Sequence, residues 1–308
     1  MILIANPIYD EAFKFLMADS KAAKALLSAL LGDDITLVDL LPQERSVVLP
    51  QVVPQLSVVR FDYCATIEVN GVRKKVLIEL QKSKTNLDIG RFRRYLGINY
   101  SDTDRLGSKQ DILPIIAIYI FGFNMEGIGP AITRFHPKGE DVLEGVPFEP
   151  GHDIMLDLLT HVSYFVQLPK LPTRHQNRVG RVLSVFSQHW IHQSDTKKLR
   201  LPEELKDDAD LRPLVERLER ALIDDDTRRK IIEEEAFEEV VLTNLQKAEA
   251  KGMEKGMEKG MEKGKHEERL QIARSLLPLL ENAAIAQATG LSPLQVQQLR
   301  TEKPFTDG

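Results

Sequence analysis

Cysteine is almost absent from this 308-residue chain, since Cys64 is the only one. A single cysteine excludes an internal disulfide framework and any zinc site built from several cysteines, so we expect Cys64 to be a small buried side chain. No apolar run reaches the roughly 20 residues that cross a membrane, and the longest, 112–121, has the length of a buried strand. The N-terminus has no basic stretch ahead of its apolar residues, so no signal peptide is predicted. We therefore expect a cytoplasmic protein with no membrane partner.

Glycine and proline are not enriched, and apolar residues make up 43 % of the chain against 28 % charged residues. This composition excludes global disorder and indicates a substantial core. The net charge of −5 does not by itself favour a polyanionic partner. However, residues 60–110 hold 11 Lys and Arg against 6 Asp and Glu, so this stretch carries +5 and the remainder −10. A polyanion is electrostatically compatible with the basic stretch.

Residues 61–81 predict a β-hairpin. Apolar and polar residues alternate up to Asn70-Gly71, which is the strongest short-range signal for a two-residue hairpin turn. On the return strand, Val76, Ile78 and Leu80 share one face, and Leu77, Glu79 and Gln81 share the other.

Two carboxylates fall at the same end of this hairpin. Asp62 lies eight residues before Asn70 and Glu79 lies eight residues after Gly71, so the two should face each other across the strand pair. Such a pair is unfavourable unless a cation lies between the charges. Mg²⁺ or Mn²⁺ suits carboxylate ligands, and a bound divalent ion can activate water for phosphodiester hydrolysis. Gln81 shares the face of Glu79 and can position a water or a phosphate oxygen.

Two helices provide further candidate residues. A first helix is predicted to begin at Asn6-Pro7 and to end at Gly32, and it carries Asp10 and Lys14 one turn apart. A second, over 86–104, carries the three side chains that we expect to bind substrate phosphate: Arg91, Arg94 and Tyr95. The alternatives are a solvated helix face for the first pair and surface ion pairs for the arginines.

With these residues the chain resembles the PD-(D/E)XK nuclease family transposases, also called the Rpn or recombination-promoting nuclease family, over roughly residues 7–170. The resemblance rests on Asp10-x-Ala12-Phe13-Lys14, Asp62, Glu79-Leu80-Gln81, Arg91-x-x-x-Tyr95 and the apolar strand from Ile112. The Lys/Gly/Glu repeat tail is also similar to what such proteins carry.

The resemblance implies Mg²⁺-dependent DNA cleavage, with Asp62 and Glu79 as metal ligands and Gln81 in the place of the motif lysine. That glutamine departs from the general pattern and leaves the source of positive charge open. Lys82 points to the wrong face of a regular strand, so Lys84 or an arginine of the next helix is the better candidate.

The predicted fold is therefore α/β, with a restriction-endonuclease-like PD-(D/E)XK core over residues 1–170 and a mixed central sheet flanked by helices. A mostly helical C-terminal region follows: a helical extension over 171–248, a Gly-Met-Glu-Lys repeat over 249–265 and a small helical pair over 266–308. The glycines favour a semi-flexible linker in the repeat over a helix-packing motif. The terminal pair has the form of a helix-turn-helix corner, but its few basic residues favour a packing or oligomerising unit, and hence a possible homo-oligomer.

Two hypotheses follow. The first is a metal-dependent DNA endonuclease associated with transposition or recombination. The second is a catalytically inactive DNA-binding or assembly protein on a decayed nuclease fold, which Gln81, the net negative charge and the long helical tail favour.

Overall fold

The computed structural model describes residues 1–41, 44–49, 55–60, 62–84, 89–101, 104–106, 109–151, 153–171 and 177–301. The chain divides into two compact units, Met1–Ala236 and Phe237–Gly308. Within the described ranges, no helix is long and apolar enough to cross a membrane.

The strands are β1 Ile2–Ala5, β2 Ile35–Leu40, β3 Glu44–Leu49, β4 Gln55–Arg60, β5 Tyr63–Val69, β6 Val72–Gln81, β7 Asp104–Leu106, β8 Lys109–Asp111, β9 Ile115–Phe121, β10 Ile132–Phe135, β11 Gly139–Asp141, β12 Val146–Phe148, β13 His161–Gln167, β14 Ile191–His192 and β15 Asp195–Leu201. The α-helices are α1 Asp10–Met17, α2 Ser20–Leu31, α3 Ile89–Ser101, α4 Ile154–Leu159, α5 Arg178–Leu183, α6 Arg212–Ala221, α7 Asp225–Leu276, α8 Asn282–Thr289 and α9 Pro293–Thr301.

A six-stranded mixed sheet, in the order β10-β13-β9-β6-β5-β2, organises the first unit. β9 runs parallel to both β6 and β13, and the other pairs are antiparallel. All seven residues of β9 are buried, because the strand is central and both of its faces are covered. On one face Ile118 joins the main core with α1, α2 and α6, and on the other Tyr119 packs against Phe92 of α3. The predicted mixed α/β class is confirmed.

The predicted hairpin is confirmed as β5 and β6. Asn70 and Gly71 both have positive φ, 52° and 77°, as a type I′ turn requires, and Val69 pairs with Val72. Ile78 lies in the main core, while Leu77 packs on the opposite face with Cys64, which is buried as predicted. Residue 61, the predicted start of the hairpin, lies outside the described residues.

The N-terminal segment differs from the predicted single helix. β1 comes first and pairs with β15, and the helical part is divided into α1 and α2. Asn6 is not the N-cap: its side chain accepts a hydrogen bond from the Ile8 amide and donates to the Thr196 carbonyl oxygen, which fixes the turn between β1 and α1. Asp19 caps α2 instead, and Gly32 ends it with φ 75°, as predicted.

The region after residue 153 is less helical than its apolar spacing indicates. Residues 155–168 have helical spacing, but only Ile154–Leu159 is α-helix, and β13 then lies parallel beside β9. Residues beyond 170 also belong to the first unit, because β15 pairs with β1 and α6 buries Leu214, Val215 and Leu218. A strand that is covered on both faces has a continuous apolar run. Over one or two turns, periodicity alone cannot distinguish such a run from a buried helix.

The repeat is helical where the sequence predicts a semi-flexible linker. α7 continues through Gly252, Gly256, Gly260 and Gly264, although each glycine costs a helix about 1 kcal/mol relative to Ala. Beyond it, α8 and α9 pack with the end of α7 through Ala273, Ile285, Leu291, Val296 and Leu299. Arg300, the basic residue of α9, bonds the Asn282 side chain and the Leu280 carbonyl oxygen, so it serves this packing.

Candidate active site

Glu79 and Gln81 lie at the end of β6, where it runs parallel to the central strand. Glu79 pairs in register with Tyr119 and Gln81 with Phe121, at the carboxyl ends of both strands. Glu79 is only 5 % exposed and Gln81 is also buried. The Gln81 side-chain amide donates to the Ser83 carbonyl oxygen at 3.0 Å, which fixes its orientation.

Asp62 lies immediately before β5, at the level of Glu79. Tyr63 pairs with Ile78, so the register carried one residue further places Asp62 opposite Glu79, as predicted. The Asp62 Oδ2 atom accepts a hydrogen bond from the Leu80 amide at 2.6 Å. β6 extends beyond the start of β5, so the Leu80 amide has no partner in the backbone of β5. The Asp62 carboxylate accepts a hydrogen bond from that amide instead. This charge-assisted bond holds the carboxylate at the end of the hairpin.

Helix α1 packs on the face of the sheet that carries Ile78, and its Lys14 pairs with two carboxylates of its own helix. The Lys14 Nζ atom lies 2.5 Å from Asp10 Oδ2 and 3.6 Å from Glu11 Oε1. Burial alone would lower the pKa of Lys14, but the charges of Asp10, Glu11 and Asp62 together raise it above its ordinary value. The nearest partners of Lys14 are thus the carboxylates of its own helix, and the Asp62 charge adds a smaller effect.

Helix α3 covers the opposite face of the sheet. The ring of Phe92 lies 5.8 Å from that of Tyr119, the register partner of Glu79, so the first turn of α3 is at the candidate site. Tyr95, one turn later, is buried against Cys64 and Leu77. Arg94 is exposed, and the side chain of Arg91 lies outside the described residues. The predicted phosphate contacts of these residues stay predictions, as do the ends of the predicted helix at 86–88 and 102–103, also outside the described ranges.

The two lysines after β6 each contact another side chain in the structure. Lys84, the preferred source of positive charge, pairs at the surface with Glu126, its Nζ atom 2.9 Å from Glu126 Oε1. Lys82, which strand alternation places on the wrong face, has its Nζ atom 3.5 Å from the ring centroid of Tyr9, the residue that precedes α1. β6 ends at Gln81. Strand alternation assigns Lys82 to the face opposite Gln81, and this is the face on which α1 packs.

Two carboxylates of α7 that the sequence analysis did not select complete the surroundings of α1. No side chain of the preceding residues caps α1; instead Glu234 accepts hydrogen bonds from the amides of Asp10 and Glu11, at 2.9 and 3.3 Å. Glu235 accepts hydrogen bonds from the Tyr9 hydroxyl and from Lys197. No local sequence signal could have found them, because more than 220 residues separate Glu234 from its partners in the chain.

The donor set fits a divalent ion held by two carboxylates. Asp62 and Glu79 carry carboxylate oxygens, and a hard ion such as Mg²⁺ often binds one or two carboxylates and keeps several waters. The Leu80 amide orients the Asp62 carboxylate, as hydrogen bonds commonly do for metal ligands. In the part of the chain that the structure describes, no three His, Cys, Asp or Glu side chains are grouped to hold a metal ion.

Comparisons with protein-family models, with characterised proteins and with solved structures give no match to this chain. The function is therefore inferred from the residues and their geometry.

Proposed function

We propose that the protein is a metal-dependent DNA endonuclease with its active site at the end of the β5–β6 hairpin. One observation carries the proposal: the Leu80 amide holds the Asp62 carboxylate at the level of Glu79, where two parallel strands end. Two carboxylates and a glutamine from two neighbouring segments thus lie where two parallel strands end.

The residues divide into metal-binding and substrate-binding roles. Asp62 and Glu79 would hold Mg²⁺ or Mn²⁺, which when bound supplies Lewis-acid stabilisation of a phosphate and a bound water of lowered pKa. Gln81 would orient that water. Lys14 is protonated at neutral pH, as lysines ordinarily are, and it would supply a positive charge for the phosphate in place of the motif lysine if the substrate draws it away from Asp10. Arg91, Arg94 and Tyr95 are the candidate contacts to the DNA backbone.

The mixed sheet with a carboxylate-bearing hairpin between two helices is compatible with a restriction-endonuclease-like core. The association with transposition or recombination, and the cytoplasmic location, rest on the resemblance and on the sequence patterns alone.

A second candidate is a catalytically inactive DNA-binding or assembly protein on the same fold. A specific observation favours it: the polar groups of the site already have structural partners. Asp62 Oδ2 bonds the Leu80 amide, and the Gln81 amide bonds the Ser83 carbonyl oxygen. In a catalytically inactive protein, both side chains would serve only to satisfy backbone groups at the end of the hairpin.

Plasmid nicking by the full chain in Mg²⁺ or Mn²⁺ separates the two candidates. We expect wild type to nick, and Asp62→Ala and Glu79→Ala to be inactive. Glu68→Ala is the matched control, because Glu68 lies on the same hairpin towards its turn, where it pairs with Arg73. Nicking that survives both site substitutions refutes the assignment, and a wild type that neither cuts nor binds Mg²⁺ in calorimetry favours the inactive protein.

A further inference from the structure

Helix α7 presents an uncovered apolar row to solvent in the second unit. Every residue from 242 to 269 is exposed, and Met257 keeps 71 % of its surface accessible. Residues four apart share one row along a helix. One such row contains large apolar residues and a single charged residue, Glu249: Phe237, Val241, Leu245, Glu249, Met253, Met257 and Met261.

A row of small residues lies directly beside it. It contains Ala248, Gly252, Gly256, Gly260 and Gly264. A Cβ atom added at any of the four glycines would meet no atom within 4 Å, so the groove that they form is open. A ridge of side chains four apart fits into the corresponding groove of another helix, with the two axes crossing at about −50°. Each copy of α7 carries both ridge and groove, so the surface is complementary to itself under two-fold symmetry.

The charges beside these rows fix the direction of such a pair. At 100° per residue, Glu254 lies on one side of the ridge and groove, and Lys259 and Lys263 lie on the other. In a symmetric pair of helices that run in the same direction, the Glu254 side of one copy faces the lysine side of the other. In an antiparallel pair, like charges would meet.

The same repeat disfavours a polyanionic occupant. Each Gly-Met-Glu-Lys unit contains one acidic and one basic residue, so the repeat offers no excess of positive charge for a nucleic acid. Glycine at every fourth position weakens an isolated helix, which is marginal in water even with good helix formers. A partner that covers the methionine ridge would supply the missing stabilisation.

We propose that α7 pairs with α7 of a second copy of this chain, parallel and crossed, with the methionine ridge of each copy in the glycine groove of the other. This pairing is independent of nuclease activity. It assigns the repeat a packing role, in place of the linker role that the sequence predicts.

Sedimentation velocity on the full chain over a range of concentrations tests the pairing, and we expect a concentration-dependent dimer. Gly256→Leu with Gly260→Leu fills the groove and should weaken the dimer roughly ten- to hundred-fold, the effect of overpacking a close contact. The matched control is Glu258→Leu, which adds the same side chain on the far side of the helix and should leave the dimer unchanged.

Circular dichroism of the same variants excludes misfolding as an explanation. Leucine is a better helix former than glycine, so the double variant should keep or gain helical signal while it loses the dimer. A wild-type chain that stays monomeric at all concentrations overturns the proposal. So does a dimer that the glycine substitutions leave intact, or one that Glu258→Leu weakens equally.

Discussion

Replacement of Asp62 by Asn and by Ala separates its two possible roles, as a hydrogen-bond acceptor and as a metal ligand. Asn keeps an oxygen that can accept the hydrogen bond from the Leu80 amide, but it has no charge to hold a divalent ion. Ala removes both. Either change also removes the charge of Asp62, so the difference in stability between the variants reports the hydrogen bonding of the side chain at position 62, which includes the bond from the Leu80 amide.

The expected difference follows from the nature of that bond. A hydrogen bond to a charged group contributes roughly 1.5–3 kcal/mol and a neutral one roughly 0.5–1.5 kcal/mol, and loss of the acceptor leaves the amide without its bond. Since Asp62 is only partly buried, the lower ends of both ranges apply. We expect Asp62→Ala to be less stable than Asp62→Asn by about 1 kcal/mol, or roughly 2–4 °C in melting temperature for a unit of this length.

Thermal unfolding of the three proteins, with and without Mg²⁺, measures both roles. A ligand that binds only the folded state at ten times its Kd stabilises it by about 1.4 kcal/mol. We expect Mg²⁺ to stabilise wild type and neither variant. Equal stabilisation of all three proteins would show that Asp62 is not a ligand. Equal melting temperatures for Asn and Ala would refute the structural role assigned to the Leu80 bond.

Three further changes test other parts of the first unit. Gly122→Ala would place a Cβ atom 2.4 Å from the backbone carbonyl oxygen just past β6, so we expect a loss of about 1–3 kcal/mol in urea unfolding, whereas Gly127→Ala, with open space around it, should be neutral. Glu234→Ala removes the cap of α1 and should cost about 1 kcal/mol, against little change for its neighbour in Glu233→Ala. Burial lowers the pKa of His161 below 6.5, so its contribution to stability is present above pH 6.5 and is lost as the pH falls through the folded-state pKa. His161→Gln should therefore reduce the loss of stability at acid pH, measured by urea unfolding across this range. An unchanged pH dependence would contradict the assignment.

The hairpin and its carboxylates were predictable because short-range rules determine them. The Asn70-Gly71 turn fixes the register, and the period of two assigns each side chain to a face. Counting residues outward from the turn along both strands places Asp62 opposite Glu79. The buried central strand was predictable for a similar reason, since a continuous β-branched run requires cover on both faces.

The surroundings of α1 were not predictable, because distant parts of the chain supply them. Asn6 has the sequence of an N-cap, but β1 pairs with β15 and draws Asn6 into a buried turn. The amides of α1 are capped from α7 by Glu234. The alternation rule assigned the face of Lys82 correctly. The sequence did not show that α1 packs on that face.

These long-range contacts bear on which part of the chain forms the site. A segment limited to residues 1–170, the core predicted from the sequence, contains Asp62, Glu79 and Lys14. It lacks β15, which pairs with β1, and it lacks Glu234, which caps α1. The segment would therefore leave one edge of β1 and the first amides of α1 without their partners, next to the lysine on which the Asp62 charge acts. The structural unit that assembles the candidate site is Met1–Ala236, and the first turns of α7 are part of it.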